Sequence, residues 1–524
     1  MTAGGDGGAP VDDRLCLAVD LGTGGPKVGL VTLDGRLVRW EHVAVETSWL
    51  GDGGAEQDAA GWWEVIRDVA RRSLREVDPA GRRVDAVSVT GQWASTVPVD
   101  ERGHPVAGCV MWMDTRGRPH ARRAYGGPVA GYRLPAAAAW LRRNGVPPSV
   151  EGDDSLGHML HLAHDRPATA AAARWYLEPV DYLSMRFCGV AAASPASMTA
   201  SWLLDTRRPG TCAYDPVLVR RSGVDAAKLP PLRPTASVIG PVLPDVAADL
   251  GLPPGTSVVA GTPDLHSAAV GAGAVGDYEA HLAISTTSWI SCPVPRKKTD
   301  PFHQLATVPG VTPDRYLLVD NQDNAGRCLE WLRDRVVTTS DGYADLVELA
   351  AAAPAGSGGV LFTPWLTGER SPVGDRRARA GFHNVSLATE RSHLARSVLE
   401  GVAMNSRWLL GAAERFCGRR LEPIRLIGGG ARSDLWAQIL ADVLDRRIER
   451  VAEPVAANLR GAALLAGAAL GAVRLAQVRD LVPVDRVFGP DPAHRAVYDR
   501  MSAELPRLYR AQKGTFARLN AGAS

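Results

Sequence analysis

Residues 20–25 read Asp-Leu-Gly-Thr-Gly-Gly: an acid closing an apolar run, then a glycine-rich turn. A carboxylate there can hold a divalent cation, and glycines let backbone N–H groups come close to a phosphate. The turn is not a Walker A loop, because G-x-x-x-x-G-K-[ST] is absent here. It opens a second strand, where a dinucleotide-binding loop would open a helix. In Gly261-Thr262-Pro263-Asp264 an acid stands at a strand-to-helix junction. Asp264 can serve as a general base toward a hydroxyl, or simply as a helix cap. The run Gly428-Gly429-Gly430-Ala431-Arg432-Ser433 puts bare backbone before a helix, where a flat or anionic ligand can rest, or where a tight turn needs only a Ser cap. Gln92-Trp93 and Trp112-Met113-Asp114-Thr115-Arg116 offer an amide, a carboxylate, a guanidinium and indole faces. A polyol uses that set, with polar groups pairing its hydroxyls and rings stacking on its C–H faces. The same residues also suit a partly buried Trp beside a surface ion pair.

These groups need elements to hold them. Residues 15–20, 27–32 and 36–43 read as three strands, the last two joined at Asp34-Gly35. Asp58 caps an expected helix over 59–77, and 84–89 is a buried strand. Residues 180–187 are weakly amphipathic, and the seven prolines of 229–255 suggest extended or loop structure before a domain boundary. The theme then repeats: a strand at 258–260, a turn into a helix at 261–266, a strand at 280–284, a hydroxyl-rich turn at 285–288 and a return strand at 289–294. Helices are expected over 394–416, 460–470 (a small-residue helix suited to close packing) and 491–517, with strands at 424–427 and 447–451. The pattern is that of a duplicated pair of α/β lobes.

The bulk properties agree. A chain of 524 residues exceeds the roughly 250–300 that one core serves, so two large domains or three smaller ones are expected. The expected organisation is a disordered lead-in at 1–13, lobes at 14–255 and 256–490, and a helical tail at 491–524. A net charge of +2 carries no footprint for nucleic acid or an anionic membrane, so any anionic ligand must be held locally. Seven scattered cysteines form no Cys-x-x-Cys, which suits reduced thiols in the cytoplasm. The N-terminus lacks the basic and apolar regions of a signal peptide, and 461–473 is too short and too rich in Ala and Gly to span a bilayer.

Taken in order, these motifs resemble the FGGY family of carbohydrate kinases, and within it the xylulose kinases. The resemblance covers about 15–512 and is most specific at 361–370 (LFTPWLTGER), Ser371-Pro372, 381–404 and 426–436. It implies two actin-like (ribonuclease H-like) α/β lobes with a central ATP and sugar cleft, and transfer of the ATP γ-phosphoryl to a sugar hydroxyl with Mg²⁺. It further implies Asp20 near the metal, Gly22, Thr23 and Gly24 in a first phosphate loop, and Lys27 as a phosphate-facing cation. Gln92, Trp93 and Asp114 would bind sugar with Arg116 in support, and Asp264 would be the catalytic base, also touching the substrate. Thr286, Thr287 and Ser288 would form a second phosphate loop, Gly429, Gly430 and Ser433 would contact nucleotide, and Asn458 would approach the adenine. The partners implied are a small sugar and ATP, with a homodimer as the expected assembly. The expected acceptor is D-xylulose, giving D-xylulose 5-phosphate; another ketose, a polyol, a sugar acid or glycerol stands as an alternative. From other classes come a non-catalytic actin-like ATP-binding regulator and an actin-like ATPase of the heat-shock or filament type. The chain departs from the family pattern at Gln92-Trp93-Ala94-Ser95, where xylulose kinases carry Gln-Met-His-Gly. It departs again at Ser285, where the family's second loop has Gly, and at Gly24-Gly25-Pro26.

Overall fold

The computed structural model describes residues 13–78, 83–337 and 342–521, so the expected lead-in lies, but for Asp13, outside the described residues. The chain divides into two compact units. Unit 1 is Met1–Gly271, Pro309–Arg315 and Asn458–Leu481; unit 2 is Ala272–Val308, Tyr316–Ala457 and Val482–Ser524.

The principal sheet of unit 1 contains β1 (Leu15–Gly22), β2 (Gly25–Thr32), β3 (Leu37–His42), β4 (Val84–Gly91), β5 (Val238–Pro241) and β6 (Ser257–Pro263), in the order β5-β6-β4-β1-β2-β3. Strands β1, β4 and β6 run parallel, and the other pairings are antiparallel. Every residue of β1 but its last is buried, which is why it reads as a continuous apolar run without alternation. Leu21 pairs with Gly91, and Gly91 with Pro263, so three parallel strands finish at one level. In α/β sheets ligands gather beyond the carboxyl ends of such strands.

Helix Ala59–Val77 has the expected bounds. Asp58 accepts a hydrogen bond from the Ala60 amide, and Trp62, Trp63, Ile66, Val69, Ala70 and Leu74 are buried. Large apolar side chains of this kind contribute about 1.5–3 kcal/mol each when removed from water. Helix Pro179–Cys188 is buried at every residue but Arg186, so it has no wet face to advertise as strong amphipathicity. It lies so near β6 that a Cβ on Gly261 would sit 2.8 Å from the Val180 carbonyl oxygen. Residues 229–255 are not all loop: they hold β5 and helix Pro244–Leu250, which Pro244 starts rather than breaks.

Unit 1 runs on past the expected boundary at 255/256, because β6 completes the same sheet as β1 and β4. It also reclaims residues 458–481 from the expected second lobe. The reason is close packing: a Cβ on Gly461, in helix Ala457–Ala469, would fall 1.9 Å from the Ser267 carbonyl oxygen. The tail expected at 491–524 is likewise no appendage. Helix Arg495–Leu519 buries Tyr498, Met501, Leu505 and Tyr509 in the core of unit 2.

Unit 2 carries β7 (Ala280–Ile284), β8 (Ser288–Ser291), β9 (Ile424–Ile427), β10 (Ile448–Val451) and β11 (Val484–Phe488), ordered β8-β7-β9-β10-β11. Strands β7, β9 and β10 are parallel and both edges antiparallel. This reproduces β2-β1-β4-β6-β5 of unit 1, strand for strand and direction for direction. The expected return strand at 289–294 is broken at Cys292. Pro293 lacks the N–H to extend the first ladder, and Pro293–Val294 pairs with Tyr316–Val319 in a second sheet. Helix Arg391–Cys417 carries a buried carboxylate, Glu400, which accepts from Arg396 (2.7 Å), Tyr498 (2.7 Å), Ser357 (2.7 Å) and the Gly356 amide (2.9 Å).

Candidate active site

The first cluster lies wholly in unit 1, at the level where β1, β4 and β6 end. Asp20 near the end of β1 is buried and stands opposite Lys27 on β2, with Lys27 Nζ 2.8 Å from Asp20 Oδ2. The Asp20 charge raises the Lys27 pKa against the opposing effect of burial, so Lys27 stays charged. The Asn458 amide donates to Asp20 Oδ1 at 3.5 Å. The position expected near the adenine is therefore held against a carboxylate of unit 1.

Asp264 follows directly on β6 as the first residue of helix Asp264–Gly271. Its carboxylate accepts from its neighbour's amide, Leu265 N, at 2.7 Å. The residue as a whole keeps part of its surface open. Burial, reinforced by the negative charge of Asp20, pushes its pKa up to about 7, while the Leu265 N–H and Lys27 pull the other way. A carboxylate tuned near neutrality is suited to take a proton from an alcohol and later release it.

The hairpin tip beside Asp20 is clamped through Thr23. Its hydroxyl accepts from Trp112 Nε1 (3.1 Å) and donates to Gln92 Oε1 (3.4 Å), and its carbonyl accepts from Gln57 Nε2 (2.8 Å). Gly24 is exposed at the tip and Gly22 half-buried. Gln92 and Trp93 continue β4, with the Gln92 amide donating to Leu21 O at 2.7 Å. Trp93 Nε1 donates to Ser197 O (2.7 Å), and its ring meets that of Trp202 edge-on at 6.1 Å. Ala94 and Trp202 both hold left-handed backbone, at φ 60° and 54°. Such conformations are costly for non-glycine residues and cluster at functional sites. Trp202 carries no motif and was not singled out in the sequence; only folding brings it to Trp93.

Asp114 is placed differently from expectation. It is fully buried, and its two oxygens accept from Arg116 Nε and Nη2, the Arg116 amide and the Ala55 amide, at 2.6–3.2 Å. Burial works against its charge, but these donors outweigh it and hold its carboxyl below the ordinary range. Arg116 is itself taken up by Asp114 and Glu56. The pair anchors its loop, and both Asp114 oxygens already accept hydrogen bonds within it. A cavity of about 460 Å³, lined by Trp175, Tyr214 and Leu229 among others, shares no residue with this cluster.

The second cluster lies wholly in unit 2. The turn after β7 is closed by Ser285 N donating to Thr287 O at 2.9 Å, leaving Thr286 exposed and Thr287 half-buried. Ser288 is not at the tip: it is buried in β8, exchanging backbone hydrogen bonds with Gln322. The glycine run packs on the same strand end, for a Cβ on Gly428 (φ +91°) would lie 2.4 Å from Ile284 O. Folding thus brings Gly429 and Gly430 beside the hydroxyl turn, from about 140 residues away in sequence. Gly429 is exposed. Ser433 Oγ accepts from Trp436 N at 3.2 Å and so works as a helix cap. Among the described residues no group of three or more His, Cys, Asp or Glu forms a metal cage, and no helix is long and apolar enough to cross a membrane.

Models of the two domains of the FGGY family of carbohydrate kinases match this chain, the N-terminal domain at residues 15–125 and 153–271 and the C-terminal domain at 282–470. The chain belongs to the FGGY family of carbohydrate kinases. This kinase is 27% identical over 508 residues to the xylulose kinase of Staphylococcus epidermidis, covering 95% of this chain and 97% of the relative. It is 26% identical over 525 residues to the autoinducer-2 kinase of an Enterobacter species, covering 95% and 94%. The crystal structure of a ligand-bound xylulose kinase from Lactobacillus acidophilus superposes with a TM-score of 0.85 at 21% identity, covering 97% of this chain and all of that one. Each unit of this kinase accordingly has the actin-like, ribonuclease H-like topology, and the protein is a sugar kinase that uses ATP. Relatives with different names at nearly equal identity leave the acceptor open.

Proposed function

We propose that this FGGY kinase phosphorylates D-xylulose to D-xylulose 5-phosphate, with Asp264 as the general base. The observation that carries the base assignment is a carboxylate within the charge fields of Asp20 and Lys27, pushed up to about 7 chiefly by burial. Phosphoryl transfer asks the protein mainly to position the reactants and stabilise charge. Asp264 takes the proton of the attacking hydroxyl at its free carboxylate oxygen. Lys27 balances Asp20, so the second acid does not repel the incoming phosphates unopposed. The backbone of Gly22 and Gly24 in unit 1, and of Thr286, Thr287, Gly429 and Gly430 in unit 2, offers close approach to phosphate and nucleotide.

The acids fit a Mg²⁺ ion. Two carboxylates near enough for one to raise the other's pKa are a local excess of negative charge, and Mg²⁺ is commonly held by one or two carboxylates, with water and phosphate completing its shell. Asp20 would hold it, and the ion would neutralise charge on the transferring phosphates. The acceptor rests on the likeness to the xylulose kinase at 27% identity. A second reading, a polyol, a sugar acid or another ketose, is favoured by Trp93-Ala94 standing where xylulose kinases carry Met-His. A coupled ADP assay across ketoses, polyols and sugar acids decides between them. D-xylulose should give the highest kcat/KM; a larger value for another acceptor replaces it. ADP release indifferent to any sugar would reject the kinase mechanism drawn here.

A further inference from the structure

Cys292 and Cys417 are 125 residues apart in sequence, yet their Sγ atoms lie 3.9 Å from each other within unit 2. Cys292 is buried directly after β8, and Cys417 is the last residue of helix Arg391–Cys417, with part of its surface open. Gly418 takes left-handed backbone (φ 70°) and ends the helix there. A disulfide requires about 2.05 Å between sulfurs, so a closing movement near 2 Å at a helix end suffices. We propose that this pair is a reversible modification site, at which a hydroperoxide converts the two thiols into an intramolecular disulfide joining the return strand of the hydroxyl hairpin to the end of the long helix.

The surroundings distinguish the two sulfurs. Cys417 shares a hydrogen bond with Cys292 in which either sulfur can be the donor, and this bond with the charges of Lys298 and Arg419 holds its pKa below the ordinary thiol value, against burial and the charge of Asp320. Lys298 is fixed there by donating to Phe416 O at 2.6 Å. The shared hydrogen bond, burial and the charges of Asp320 and Asp277 push Cys292 up. Cys212, the other cysteine with open surface, is raised by burial, and Cys16, Cys109, Cys188 and Cys328 are buried. A thiolate that is partly exposed and held by cations is the reactive form. Cys417 is therefore the attacking sulfur and Cys292 the resolving one.

The steps balance. The Cys417 thiolate attacks one peroxide oxygen, the S–O bond forms and the O–O bond breaks, and the departing hydroxide or alkoxide takes a proton. The sulfur is oxidised by two electrons to a sulfenic acid and the peroxide reduced. The Cys292 sulfur then attacks the sulfenic sulfur; the S–S bond forms, the S–O bond breaks, and the hydroxide leaves as water with the Cys292 proton.

Hydrogen peroxide added to the reduced full-length protein tests this. The expected result is loss of two of its seven titratable thiols, a non-reduced peptide pair containing Cys292 and Cys417, and return of both thiols with dithiothreitol. Cys417→Ser should yield no linked peptide, and Cys292→Ser should stop at a sulfenic acid on Cys417 that dimedone traps. Wild-type protein in which Cys417 goes to sulfinic acid without a linked peptide, pairs with a different cysteine, or keeps its thiol overturns the proposal. The wild-type map needs no variant to fold.

Discussion

Asp264 is where chemistry and stability pull apart. A general base, the role proposed for it, contributes on the order of 10²–10⁴-fold. Asp264→Asn should therefore cut sugar-dependent ADP release by that factor in a coupled assay while calorimetry still detects nucleotide binding. With its carboxyl pushed up to about 7, log kcat/KM should fall with unit slope as pH drops below that value. The charge of Asp20 is part of what raises it, so in Asp20→Asn the same limb should move to lower pH. Stability has the opposite sign. The folded protein favours the protonated acid, so its stability declines as pH rises from the ordinary carboxylate range through about 7. Asp264→Asn, neutral at every pH, should raise Tm more at pH 8 than at pH 5. Equal shifts at the two pH values would remove the basis for a raised pKa. Asp114 teaches the converse: Trp-x-Asp-x-Arg read either as a sugar-binding set or as an ion pair beside a Trp, and the ion pair is present but buried rather than on the surface.

Most helices and strands were legible because their signals are local. Asp58 and the spacing from Trp62 to Leu74 specify helix Ala59–Val77 without outside help. Helix Pro179–Cys188 was faint because its polarity pattern is set by neighbours on all sides. Two predictions follow from packing. Glu400→Ala should destabilise unit 2 by ~3–5 kcal/mol in denaturant unfolding, because it strands the buried guanidinium of Arg396. Gly461→Val should loosen the contact with Ser267 that holds Asn458 and the helix of Asp264 in place. Its expected result is a lower Tm together with a lower kcat; unchanged values of both would mean that the contact positions nothing.

Across the whole molecule, unit 1 is discontinuous, and a piece far along the chain completes it. A chain ended at residue 457 would keep every strand of the first sheet but lose helix Asn458 onward, which packs on Ser267 and, through Gly467, on Leu33. Hydrogen exchange in β1 and β4 should then accelerate relative to the full chain; unchanged protection would show that unit 1 is complete without that segment.

The amino-acid string alone was enough for the α/β class, the repeat and the family resemblance, and it pointed to the acids at 20 and 264 as candidates. Each of these follows from periodicity, caps or short motifs within a few residues of one another. Folding was needed to bring Asn458 to Asp20, Trp202 to Trp93, Gly428–430 to Ile284 and Cys292 to Cys417, to bury Ser288, and to close Asp114 on Arg116. Most of these pairings join residues tens to hundreds of positions apart. They depend on sheet register and close packing, to which no local pattern of side chains corresponds.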